Sequence, residues 1–80
     1  MTKEIARQLV TAIRAQKGPL PKELCDAHGR WCAYGLLLTK VLPLIPGGGA
    51  ITLAEQCKLV RINNTQPKAR VIALVREMGR

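Results

Sequence analysis

The sequence predicts a mainly α protein: a compact bundle of about four helices, with a short β-hairpin or turn between the first and second. Three observations carry this. Apolar residues near the start recur at helical spacing, a Thr52-x-x-Glu55 capping box opens a later run, and Pro67 stands ahead of a last periodic stretch. Eighty residues leave room for one core, so 1–80 reads as a single domain. An apolar content of 48% suits a folded chain better than a disordered basic tail. With no Phe, one Trp and one Tyr, the core must come from Leu, Ile, Val and Ala. Such a core supplies a net stability of roughly 3–5 kcal/mol without a staple, which leaves a homodimer open.

The first helix begins near Thr2, a plausible N-cap, with Glu4 in its positive first turn. Ile5, Leu9, Ala12, Ile13 and Gln16 share one face, and Lys3, Arg7, Thr11 and Arg14 another. Gly18 supplies a left-handed residue after the helix, and Pro19 and Pro21 prevent its continuation. Residues 22–32 read as a hairpin or long turn, in which Asp26 to Arg30 suits a type I turn followed by a left-handed glycine. Residues 33–42 are apolar nearly all round and predict a helix at the centre of the domain, clasped by the first and last. Gly35 in its interior points to close approach of a neighbouring backbone. Pro43 ends it, and residues 43–51 form a Pro/Gly loop.

The capping box starts a short helix from Leu53 to about Val60, with Leu53, Ala54, Cys57 and Val60 turned inward. Arg61 to Thr65 reads as a connector, with a brief extended segment at Val60 to Ile62. Pro67 fits the first turn of the last helix, capped by Thr65 or Gln66. Val71, Leu74, Val75 and Met78 form its buried stripe, Ile72 widens it, and Gly79 ends it.

Thirteen Lys and Arg against five Asp and Glu give a formal charge of +8 at pH 7. Most of those charges must stay in water, so the surface attracts polyanions, of which nucleic-acid phosphate is the commonest in a cell. Between Glu55 and Glu77 the chain holds Lys58, Arg61, Lys68, Arg70 and Arg76 with no acidic residue. Lys58, Arg61, Asn63, Asn64, Gln66, Lys68 and Arg70 crowd one connector and one helix start. There the cations would hold phosphates and the amides bond base edges. Arg7 and Arg14 would help if the first helix lies alongside. A helix-turn-helix across Thr52 to Arg76 fits weakly, because the connector lacks a turn glycine.

Other chemistry is poorly served. The chain has no Ser, and its five scattered carboxylates offer no paired acid and base. Gly47-Gly48-Gly49 lacks the Lys-Ser/Thr of a phosphate loop and reads as a connector. Cys25, His28, Cys32 and Cys57 are just enough for tetrahedral zinc. Their Cys-x2-His-x3-Cys spacing is not a common knuckle, so packed thiols and a solvated turn histidine are the favoured reading. No metal or other cofactor is expected. Trp31 to Ala54 contains only Lys40 as a charge, but its prolines and glycines suit a loop after a buried helix, not a membrane span. Residues 1–17 lack the apolar core of a signal peptide, and three cysteines fit a reducing cytoplasm.

The segment Gly29-Arg30-Trp31-Cys32-Ala33-Tyr34-Gly35, with Ile62-Asn63-Asn64 and the Val71–Leu74 run, resembles a family of small uncharacterised bacterial proteins. There a Gly-x-x-Cys-x-x-Gly motif starts a central helix and an Asn-containing loop precedes the last one. The resemblance implies a mostly helical fold with a small hairpin, and no activity. Size and charge also resemble phage or mobile-element accessory proteins. The expected function is non-enzymatic: a cytoplasmic basic protein acting on nucleic acid or a nucleoprotein complex. The alternative is a small regulator or inhibitor docking on an acidic protein surface.

Overall fold

The structure is a computed structural model describing residues 1–45 and 51–79. Thr2 caps α1 (Lys3–Ala15), its hydroxyl accepting the Ile5 amide at 3.1 Å. Ile5, Leu9 and Ile13 of its apolar face are fully buried. Gln16 turns extended and ends the helix, and Gly18 follows at φ +84°.

The expected hairpin reduces to one antiparallel bridge, Cys25 to Trp31, around the Asp26–Arg30 turn; the described residues contain no strand. Its arms cannot lengthen because Cys32 already caps the next helix. The turn is held by Asp26: one carboxylate oxygen accepts the amides of His28 and Arg30, the other the Arg30 guanidinium at 2.8 Å. Gly29 adopts φ +75°, the left-handed conformation that its place after the turn requires.

The Gly-x-x-Cys-x-x-Gly motif acquires a physical reading here. Cys32 is the N-cap of α2 (Ala33–Leu36), its buried sulfur accepting the Gly35 amide at 3.3 Å. A Cβ on Gly35 would lie 2.8 Å from the Leu24 carbonyl oxygen and 2.9 Å from Trp31 Cε3. The glycine is therefore the seat on which the turn and the indole rest. α2 then widens into a π segment (Leu37–Val41), the Leu42 amide reaching back to the Leu37 carbonyl, and tightens into a 3-10 turn (Leu42–Leu44). Pro43 accounts for the break, since it has no amide to give to Thr39. The rest of the expected Pro/Gly loop, 46–50, lies outside the described residues.

The capping box forms as predicted, with Thr52 and Glu55 bonding reciprocally at 3.0 and 3.1 Å. The helix it opens, α3 (Leu53–Thr65), runs past Val60 with no extended segment, so the expected connector is its last turn. Its inward face also differs: Leu59, Ile62 and Asn63 are buried, while Leu53, Ala54, Cys57 and Val60 face solvent. Gln66 and Pro67 alone join α3 to α4 (Lys68–Met78). Pro67 is itself the N-cap, its carbonyl accepting the Arg70 and Val71 amides at 2.9 Å, and neither Thr65 nor Gln66 caps with a side chain.

The second helix is not the hub. α1 packs on α4 and on the α2 segment, and α3 packs on α2 and α4, which closes a ring around one core. The neighbours of α2 are α1 and α3, not the first and last helices as expected, because α4 turns its buried face to α1 and α3. Instead each element contributes wholly buried side chains: Leu37 and Val41 after α2, Leu59 from α3, Val71 and Val75 from α4.

Asn63 is the one buried polar side chain among the described residues. Its Oδ1 accepts the Ala33 amide at 2.8 Å; its Nδ2 donates to the Pro21 carbonyl at 3.0 Å and to Asn64 Oδ1 at 3.1 Å. Removing it orphans the buried Ala33 amide and frees the part-buried Pro21 carbonyl, so Asn63→Ala should cost about 2–3 kcal/mol in urea unfolding. Gly35→Ala should cost about 1–3 kcal/mol despite the better helix former, because a carbonyl in the way cannot swing aside as a side chain could. Unchanged midpoints would contradict this packing.

Candidate functional site

The cations that the structure gathers are not those clustered in the chain. Lys3, Arg7 and Arg14 of α1 share with Arg76 of α4 the walls of a groove of about 340 Å³. Ala6 and Val10 form its floor; Thr11 and Gly79 complete it. The α1 helix ladder sets the spacing, since positions three, four and seven apart return to one face. Gly79 closes one end, where a Cβ would lie 2.7 Å from the Ala6 methyl. Arg7 and Arg14 were legible as one face of the first helix. Lys3 was legible as part of that face but not as a contact, and Arg76 was missed because the α1–α4 packing that brings it there leaves no local signal.

Among the described residues, Glu4 is the carboxylate bonded to a cation of the groove. Glu4 takes both oxygens to the Arg7 guanidinium, at 2.6 and 2.7 Å, and one to Gln8 at 2.7 Å. The Arg7 hydrogen bond, then that of Gln8, holds its carboxyl below the usual carboxylate range. Lys3, Arg14 and Arg76 are exposed and form no ion pair among the described residues. Among the described residues the other ion pairs are Arg30 with Asp26 and the Met1 amino group with Glu55, so most of the described Lys and Arg side chains form none.

The residues expected between 58 and 70 scatter. Asn63 spends its amide inside the fold, as described. The Lys68 ammonium donates to the Gly18 carbonyl at 3.0 Å and to the Gln16 carbonyl, tying the start of α4 to the end of α1. Lys58 lines a depression with Glu55 and Glu77, where its field is partly cancelled. Arg61 and Asn64 lie exposed on α3, Gln66 in the connector and Arg70 on α4. Sequence adjacency was a poor guide because α3 carries these side chains around more than one of its faces.

The soft ligands do not converge, and no group of three or more His, Cys, Asp or Glu among the described residues could hold a metal ion. Cys32 is committed as a cap, exposed Cys25 bonds the Asp26 carbonyl, His28 sits exposed in the turn and Cys57 lies on the outer face of α3. Gly47-Gly48-Gly49 lies outside the described residues. No described helix is long and apolar enough to cross a membrane.

No family model, curated protein or solved structure matches this chain.

Two outcomes follow from the electrostatics. Lys68→Met should lower stability by about 1 kcal/mol, whereas Arg76→Ala should leave it within about 0.5 kcal/mol, both read by urea unfolding. Hydrogen bonding also holds Asp26 and Glu55 low, through the Arg30 amide and the Met1 ammonium first. Groups lowered on folding stabilise above their unfolded pKa, about 4, and that stability is lost as pH falls through the folded values. The Tm should therefore hold from pH 8 to 5 and drop below about pH 4, less steeply in Asp26→Asn. An acid-insensitive Tm would sink the assignment.

Proposed function

We propose that this chain is a non-enzymatic nucleic-acid-binding protein that grips backbone phosphates in the groove between α1 and α4. The observation that supports it is the convergence of Lys3, Arg7, Arg14 and Arg76 on one concave surface, with Glu4 as its nearby counter-charge. A phosphate run entering it would release condensed counterions, the dominant source of affinity for such surfaces. Arg70 and Arg61, both exposed, add to the attracting field without sharing the groove. The floor of Ala6 and Val10 offers bases no hydrogen-bonding partner, so binding should be largely independent of sequence.

Fluorescence anisotropy with labelled duplex DNA and RNA over a salt series tests this. Log affinity should fall linearly with log salt, and Lys3→Ala, Arg14→Ala or Arg76→Ala should each reduce the slope by about 1. Lys22→Ala, outside the groove, should leave the slope unchanged. A salt-independent affinity, or equal slopes in all four variants, would overturn the reading.

A further inference from the structure

On the opposite side of the ring, α2 and α3 form a second groove of different character. It measures about 350 Å³ and is lined by Tyr34, Leu53, Gln56, Cys57 and Val60. Leu53 is 75% exposed and Val60 40%, although both are large aliphatic side chains. Leu53, Cys57 and Val60 fall at i, i+4 and i+7, one continuous stripe along α3. Tyr34 forms the far wall, its hydroxyl fixed by donating to Gln56 Oε1 at 3.0 Å.

The charges around this groove select its occupant. Arg61 and Lys58 follow the stripe around α3 on the side away from Tyr34; Lys58 there meets the depression shared with Glu77 of α4. No carboxylate lines the groove, and Glu55, the nearest on α3, is occupied by Thr52 and the Met1 amino group. A second copy would set the same cations against its own, on a chain already at +8. We infer that the groove receives an amphipathic helix of another protein, with an apolar stripe against Tyr34, Leu53 and Val60 and carboxylates on the flank facing Arg61, one helical turn after Cys57. Such helix-in-groove docking uses anchors at i, i+4 and i+7, the repeat that α3 presents.

Cys57 in the middle of the stripe supplies the readout. In Cys25→Ser protein it is the remaining exposed thiol, since Cys32 is buried. Its alkylation rate is followed with three synthetic peptides: a leucine-striped helix flanked by Glu, the same stripe flanked by Lys, and a scrambled Glu peptide. The Glu-flanked helix should slow alkylation about tenfold at saturation by excluding water from the stripe, and the other two should not. Arg61→Glu should abolish that protection. Leu53→Ala, at a position 75% exposed, should leave the far-ultraviolet dichroism unchanged and weaken the protection about tenfold. Lys3→Ala should not alter it, which separates this groove from the phosphate-binding one. Equal protection by all three peptides, or protection by none, overturns the inference. So does slow alkylation of the free protein with a sedimenting mass of two chains, which would make a second copy the occupant.

Discussion

Burying a carboxamide costs free energy unless its oxygen and nitrogen both find partners, and Asn63 meets that condition only if three segments are in place together. The start of α2, the connector at Pro21 and the last turn of α3 must converge on it. Apolar packing is tolerant of small slips, whereas an amide with fixed donors and acceptors is not. This side chain thus specifies where the long, nearly structureless stretch between α1 and α2 lies against the ring. The turn held by Asp26, the seat at Gly35 and the relation of α2 to α3 all depend on that placement.

A second polar tie works at the other end of the same stretch. The Gln16 amide both donates to the Trp31 carbonyl, at 2.7 Å, and accepts its N–H, at 2.8 Å, as a neighbouring strand would. Lys68 reaches the carbonyls around the same corner. Residues 16–32 thus have few backbone bonds of their own and are anchored by the Gln16 side chain within the stretch and by side chains from α3 and α4. A chain lacking Phe, with its aliphatic core shared by four short elements, relies on such ties for a unique arrangement.

Local chemistry was legible in the sequence wherever a residue acts on its immediate neighbours. The caps at Thr2 and Thr52, the left-handed glycines at 18 and 29 and the need for Gly35 could all be read from order alone. The π segment, and the 3-10 turn that carries the helical path through Pro43 to Leu44, could not. Nor could the buried face of α3. Leu53, Cys57 and Val60 make as good an apolar stripe as Leu59 and Ile62, and the true inner face includes a polar Asn63 that periodicity counts against it. Which stripe turns inward is decided by α2 and α4, not by α3. The same limit applied to charge: Lys3 and Arg76 stand at opposite ends of the chain, and only the closing of the ring makes them neighbours. The outward stripe of α3 and the α1–α4 groove thus share an origin in packing between distant segments.

The indole of Trp31 rests against Gly35, half-buried, at the seam where the end of α1, the turn and α2 meet. Because the chain has no other tryptophan, its emission is a local gauge of that seam. Far-ultraviolet dichroism, by contrast, is dominated by α1, α3 and α4. Loss of the two signals at different denaturant concentrations would resolve detachment of the turn from melting of the helices, with no added dye or engineered label.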